Sequence, residues 1–73
     1  MTNVPDNLRE MWADIYRLFD SNYLMQNTEE AWNQFWNQAV KIYEKYKEVM
    51  PRVMELLAIV GDMIGDRMKE KSA

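Results

Sequence analysis

Apolar side chains recur every three or four residues along most of this 73-residue chain, and this spacing restricts its fold more than any other feature. Such steps place side chains on one face of an α-helix, because a helix makes one turn in about 3.6 residues. In the first segment the apolar residues are Leu8, Met11, Trp12, Ile15, Leu18 and Phe19. The same pattern in two later segments predicts three helices, at about residues 6–20, 28–48 and 51–70.

Polar residues that favour turns and helix caps separate the first two predicted helices. Residues 20–22 (Asp-Ser-Asn) interrupt the apolar pattern with side chains that bond to their own backbone. Asn27 or Thr28 can then cap the start of the second helix, because short polar side chains accept a hydrogen bond from its first turn. Asp6 or Asn7 can cap the first helix in the same way.

Pro51 leaves two architectures open for the second half of the chain. A proline lacks a backbone N–H and disfavours the helical conformation at the preceding residue, here Met50. A turn at this point gives an all-α, small antiparallel three-helix bundle with Pro51 in the first turn of the third helix. A kink instead gives a helical hairpin in which one long helix bends at Pro51. The sequence favours the bundle.

The short length and the absence of two residue types restrict both the domain organisation and the chemistry. The chain length predicts a single helical domain over residues 1–73, with residues 1–5 and 71–73 as loose ends. The chain has no cysteine and no histidine, which excludes disulfides, thiolate and imidazole metal sites, and catalysis by either side chain. The two serines, Ser21 and Ser72, lie in a predicted loop and in the tail without a base beside them. We therefore expect no enzymatic activity and no cofactor or metal.

Hydropathy predicts a cytoplasmic protein without a membrane partner. The longest uninterrupted apolar run is residues 56–60, whereas a helix that crosses a bilayer needs about 20 residues. Met1 is not followed by the basic and apolar regions of a signal peptide.

The charge balance disfavours nucleic acid as a partner. The chain has 9 basic and 12 acidic residues, and its net charge of -3 is repelled by a phosphate backbone. Basic and aromatic residues alternate in the second predicted helix, but on a helix they fall largely on different faces. These residues are Lys41, Tyr43, Lys45, Tyr46 and Lys47. A small nucleic-acid-binding regulator is therefore the functional hypothesis that the sequence supports least.

The third predicted helix is apolar around most of its circumference. Between residues 53 and 64 only Glu55 and Asp62 are charged, and such a helix is either central in its domain or covered by another chain. Two glycines in its interior each cost about 1 kcal/mol relative to alanine, and they permit close approach of another helix. We predict a non-enzymatic interaction protein that forms a homodimer through this helix, while close packing inside one chain is the alternative. The predicted interface consists of Met54, Ala58, Gly61, Gly65 and Met68.

A second hypothesis is a monomeric binding module for a host protein. Residues 23–25 are apolar although they lie in a predicted connection, and aromatic residues at an edge often anchor interfaces. The alternative interface consists of Tyr23, Leu24, Met25 and Trp36. The melting temperature of a homodimer should rise with protein concentration, whereas that of a monomeric module should not.

Two stretches of the sequence resemble a group of known proteins. The first is LREMWADIYRLF at residues 8–19, and the second is MQNTEEAW at residues 25–32. With the helix that follows, to about residue 50, they look like short, uncharacterised all-helical proteins of prophages and other mobile elements of Gram-positive bacteria. The resemblance implies a cytoplasmic accessory protein of a mobile element and assigns no functional residues.

Overall fold

The computed structural model describes residues 4–72 of the chain and the side chains of residues 4–69. The described residues form three α-helices: α1 (Asp6–Asn22), α2 (Glu29–Tyr46) and α3 (Val53–Ser72). Each helix packs against the other two, which confirms the predicted all-α three-helix bundle. Of the predicted loose ends, residues 71 and 72 are helical, and residues 1–3 and 73 lie outside the described residues.

Two hydrogen bonds show that α1 and α2 are antiparallel. Asn22 Nδ2 donates to Oε1 of Gln38 over 3.1 Å. The hydroxyl of Tyr46 donates to Oδ2 of Asp14 over 2.6 Å. Residues nearer the start of α1 therefore lie opposite residues nearer the end of α2.

The third helix runs parallel to the first. Arg67, near the end of α3, places its guanidinium 5.3 Å from the centroid of the Tyr23 ring, which follows the last residue of α1. Short connections between three packed helices produce this up-down-up order. The residues of α1 and α3 therefore advance in the same direction along the bundle.

The core lies where the apolar faces of the three helices meet. The ring of Phe35 stands edge-on to both Trp32 and Trp36, with centroid distances of 5.7 and 4.9 Å, a favourable geometry for aromatic pairs. The buried apolar side chains are Met11, Ile15, Leu18, Phe35, Ala39, Tyr46, Val53, Leu57, Val60, Ile64 and Met68.

Proline rather than a capping side chain marks the start of α1. Pro5 is the N-cap residue, and no side chain caps the helix. The Pro5 carbonyl accepts hydrogen bonds from the backbone N–H groups of Leu8 and Arg9 over 3.1 and 3.2 Å. The predicted caps Asp6 and Asn7 are therefore wrong, because the helix has already begun at Asp6.

Thr28 determines where α2 begins. Its hydroxyl Oγ1 accepts a hydrogen bond from the backbone N–H of Ala31 over 3.1 Å, as an N-cap side chain should. Asn27, the other predicted cap, instead accepts a 2.9 Å hydrogen bond from the indole N–H of Trp32. The two candidate caps thus have separate roles.

Pro51 lies in a turn between α2 and α3. The backbone N–H of Val53 donates to the Met50 carbonyl over 3.0 Å. This bond closes a turn with Pro51 at its second position, where the fixed φ of proline is favourable. The helical hairpin with a long kinked helix is therefore wrong, because α2 ends at Tyr46 and α3 begins at Val53.

Candidate interaction surfaces

Among the described residues, five of the ten exposed large apolar side chains lie on the side of the bundle where α1 and α3 are neighbours. On α1 and at the residue that follows it, exposed aromatic side chains recur at steps of four and seven residues. On α3, two exposed apolar side chains one turn apart lie on the flank of Arg67, the residue that contacts the end of α1. We define the α1–α3 face by the residues Trp12, Tyr16, Tyr23, Ile59 and Met63.

The apolar side chains of this face are exposed to a large extent. The exposed fraction is 62% for Tyr16, 54% for Ile59 and 49% for Met63. Phe19 and Leu56, which belong to the same flanks of α1 and α3, are partly buried and pack against the core. The apolar surface therefore continues from these exposed side chains to the core beneath them.

Arg67 attaches the loop after α1 to α3. Its Nη2 donates a 2.9 Å hydrogen bond to the Met25 carbonyl, and its Nε is buried without a hydrogen-bond partner among the described residues. Met25 is partly buried, whereas the preceding Leu24 is 77% exposed. The loop thus presents Leu24 at one end of the bundle.

A groove of about 500 Å³ runs between α2 and α3. The indole of Trp36 lies so close to Gly61 that a Cβ atom there would be 3.2 Å from Trp36 Cζ2. Gly65, one turn further, has no atom of another helix within 4 Å of the position where a Cβ would stand. The groove is lined by Trp32, Trp36, Gly61, Asp62, Gly65, Asp66 and Lys69.

The structure separates the five residues that the sequence predicts as a homodimer interface. Gly61 and Met68 are buried within the chain, Met54 is partly buried, Gly65 is partly exposed, and Ala58 is exposed. Trp36 of the same chain makes the close approach to Gly61, as the alternative of packing inside one chain expects. Gly61 and Met68 are therefore not open to a second chain here, and an interface on this stripe stays a prediction.

The residues of the alternative interface lie on two sides of α3. Residues 23–25 form the loop beside Arg67, whereas Trp36 lies over Gly61. Arg67 is six positions after Gly61, which corresponds to one full turn of the helix and about 240° more. The two residues therefore lie on different sides of α3. Trp36 therefore does not extend the surface of the loop.

A polar cluster joins α1 to α2 on the remaining side of the bundle. The Asp14 carboxylate accepts hydrogen bonds from the Tyr46 hydroxyl, from Arg17 Nη1 over 2.8 Å and from Lys45 Nζ over 3.3 Å. The Tyr46 hydroxyl, helped by the two cations, holds the pKa of Asp14 below its ordinary value, although partial burial opposes this. Burial, and then the bond to Asp14, raise the pKa of Tyr46. Near neutral pH Asp14 is thus ionised and Tyr46 neutral, which suits a contact between helices rather than proton transfer.

No protein-family model, curated protein or solved structure matches the chain. The resemblance to proteins of prophages and mobile elements therefore stays an expectation from the sequence.

Neither a metal centre nor a membrane span is found in the described part of the chain. Asp62 and Asp66 stand one turn apart on the rim of the groove, but no group of three or more potential ligands is formed there or elsewhere among these residues. None of the described helices has the length and apolar character that a bilayer crossing requires.

Of the residues in the two predicted interfaces, only Tyr23 belongs to the α1–α3 face. Apolar spacing assigns Trp12 and Met63 to buried stripes, yet both are about half exposed. The sequence does contain a signal for this face. Arg52 and Asp66 stand seven residues before and after Ile59, and charged residues at this spacing are unusual on a side of a helix that is buried.

Proposed function

We propose that this protein is a non-enzymatic interaction protein that self-associates, as a homodimer, through the α1–α3 face. The observation that carries the proposal is the exposure of five large apolar side chains on one side of the bundle. Two of them, Ile59 and Met63, belong to α3, the helix from which the sequence predicts self-association. A second copy of the same face would cover them.

Burial of this face is energetically significant for so small a domain. Covering apolar surface contributes about 25 cal/mol per Å², so roughly a few hundred Å² give several kcal/mol before the costs of association. The whole folding free energy of a small domain is only about 5 kcal/mol or somewhat more. Association would therefore stabilise the folded chain to a measurable degree.

Sedimentation equilibrium and melting at several protein concentrations test the proposal. We expect a dimer whose melting temperature rises with concentration, because unfolding is coupled to dissociation. The double variant Ile59→Gln with Met63→Gln should stay helical, because both side chains are exposed in the single chain, and it should be monomeric. A wild-type chain that stays monomeric at millimolar concentration contradicts the proposal.

Substitutions at one residue of α2 and one residue of α3, both outside the α1–α3 face, provide a matched control. Val40 has nearly the exposure of Met63, and Ala58 is exposed as well. Val40→Gln with Ala58→Gln should leave the dimer intact. If this pair abolishes the dimer and the substitutions at Ile59 and Met63 do not, the interface lies on the stripe that contains Ala58 and Gly65.

A second candidate function is binding of a host protein at residues 23–25. The observation in its favour is the high exposure of Leu24, which Arg67 holds in place through the neighbouring Met25 carbonyl. In a pull-down from the source cell, the wild-type chain should retain a host protein that the Leu24→Gln variant does not retain. The purified host protein should then bind the purified wild-type chain. Equal retention of host proteins by wild type and variant excludes this candidate.

The proposal also places the chain in the cytoplasm, as an accessory protein of a mobile element. This part depends on the hydropathy of the sequence and on the resemblance of residues 8–50. Fractionation of the source cell tests it, and recovery of the protein outside the cytoplasmic fraction would contradict it.

A further inference from the structure

We infer that the two copies pair about a twofold axis perpendicular to the helices, so that each α1 packs antiparallel on the partner's α1 and each α3 on the partner's α3. The inference rests on the self-association proposed above and adds the orientation of the second copy. In this arrangement Arg9 lies opposite the partner's Asp20, and Arg52 lies opposite the partner's Asp66.

The outer stripe of α1 has one charge of each sign around an apolar centre. Arg9, Ala13, Tyr16 and Asp20 follow at steps of four, three and four residues, and all are exposed. The helix dipole does not explain this order, because it favours acidic residues near the start of a helix and basic residues near its end. The small side chain of Ala13 leaves room for the partner's Tyr16.

The outer stripe of α3 repeats this order of charges. Ile59 and Asp66 are seven residues apart on α3, which keeps them on one stripe of the helix. Arg52 lies seven residues before Ile59, in the turn that leads into α3, and all three residues are exposed. At this seven-residue spacing Arg52 precedes Ile59 and Asp66 follows it, while Glu55, one turn before Ile59, pairs with Arg52 in its own chain. The same order surrounds Tyr16 in α1.

The parallel course of α1 and α3 makes these stripes a signal for orientation. Both arginines lie towards one end of the bundle and both aspartates towards the other. Asp66 lies on the outer side of α3, where it also lines the groove between α2 and α3. An antiparallel copy places arginine opposite aspartate at both ends. A parallel copy, with α1 on the partner's α3, places Arg9 against the partner's Arg52, and such like-charge contacts disfavour the wrong arrangement.

A single axis can relate both pairs of helices. The charged pair of α1 has its midpoint 8.5 residues before Tyr23, and that of α3 has its midpoint 8 residues before Arg67. Tyr23 and Arg67 are in contact, so the two midpoints lie at nearly the same height along the bundle. Half a residue corresponds to less than about 1 Å, because a helix rises about 1.5 Å per residue.

Ion pairs within one chain leave these charges open to a partner. Arg9 and Arg52 each pair with an acidic residue three positions away in their own chain, and both pairs are exposed to solvent. Pairs of this kind contribute little and exchange readily. Asp20 and Asp66 form no ion pair with the side chains of residues 4–69.

Charge reversal on α1, measured by sedimentation equilibrium at low salt, tests the orientation. Arg9→Asp alone and Asp20→Arg alone each bring like charges together twice in the dimer, and we expect either to weaken association about tenfold. The double variant restores opposite charges and should return the dissociation constant to within about threefold of the wild-type value. If the double variant instead associates more weakly than either single variant, because the two losses of affinity add, the inference is overturned.

A second cycle and two controls complete the experiment. Arg52→Asp, Asp66→Arg and their combination should behave as the α1 variants do. Lys41→Asp and Glu48→Arg make the same changes of charge at exposed positions away from the α1–α3 face, and they should leave association unchanged. Circular dichroism checks that each variant is folded, as expected for exposed positions.

The possible results distinguish this inference from the proposed function. A monomeric wild-type chain overturns both. A dimer that Ile59→Gln with Met63→Gln abolishes, but that shows no coupling in either charge-reversal cycle, retains the proposed function and overturns the antiparallel orientation.

Discussion

The hydroxyl of Tyr46 donates a 2.6 Å hydrogen bond to the carboxylate of Asp14 and so joins the end of α2 to the middle of α1. The Tyr46 ring belongs to the buried core, whereas Asp14 also pairs with the exposed Arg17 and Lys45. A hydrogen bond to an ionised carboxylate is stronger than one between neutral groups. This contact is where the apolar core meets the charged surface.

Tyr46→Phe removes this hydroxyl and keeps the buried ring. We expect the free energy of unfolding to fall by about 1–2 kcal/mol, because Asp14 loses its shortest hydrogen bond. Tyr43→Phe is the matched control, since the Tyr43 hydroxyl has no hydrogen bond among the described residues, and it should change stability by less than about 0.5 kcal/mol. Urea unfolding measures both variants, and equal losses would contradict the role given to Tyr46.

Acid should lower the free energy of unfolding because it protonates Asp14. Its pKa in the folded chain lies below the ordinary 3.8, so the unfolded chain takes up the proton first as the pH falls. The contribution of Asp14 is complete above about pH 5 and is lost as the pH drops through the folded pKa. The difference in unfolding free energy between wild type and Asp14→Asn should therefore shrink as the pH falls below about 5 in urea titrations. A difference that does not change with pH would show that Asp14 is not responsible.

The two glycines of α3 should respond differently to alanine. Gly65→Ala should stabilise the folded chain by about 0.5–1 kcal/mol, because a Cβ there meets no atom of another helix and alanine favours the helix. Gly61→Ala should gain less or lose stability, because the Trp36 indole must move by a few tenths of an ångström. Thermal unfolding of both variants measures the difference, and a larger gain at Gly61 would be the opposite of what the packing predicts.

Loss of the α2 cap should destabilise the chain, whereas a change at the start of α1 should not. Thr28→Ala removes the acceptor for the Ala31 N–H and should cost about 1 kcal/mol, while Thr28→Ser should retain most of the stability. Asn7→Ala is the control, because α1 has no side-chain cap. Urea unfolding decides between them, and an equal cost at Asn7 would mean that this residue also acts as a cap.

The helices could be predicted because local spacing and turn chemistry determine them. Every helix end lies within two residues of its predicted position, and Pro51 interrupts the chain as its missing N–H requires. The start of α1 at residue 6 was predicted correctly but its cap was not, because Pro5 precedes this helix and none of the polar side chains that the sequence offers caps it.

The orientation of α3 could not be predicted from its own residues. Met63 and Met68 look equivalent in the sequence, yet Met63 is half exposed and Met68 is buried. On a helix that is apolar on several sides, contacts with residues distant in sequence decide which stripe faces inward. Here Trp36 lies over Gly61 and covers the stripe that the sequence assigns to a partner. The exposed apolar surface is therefore found on the other flank, at Ile59 and Met63.

The hydrogen bond from Arg67 to the Met25 carbonyl spans 42 residues of sequence. During synthesis the N-terminal part of a chain leaves the ribosome first, so the loop after α1 emerges well before the arginine that holds it. Residues 23–25 cannot take their final position until residue 67 has left the exit tunnel. A nascent or truncated chain that ends before Arg67 keeps the loop accessible to proteases. The loop becomes protected only when Arg67 can donate its hydrogen bond to the Met25 carbonyl.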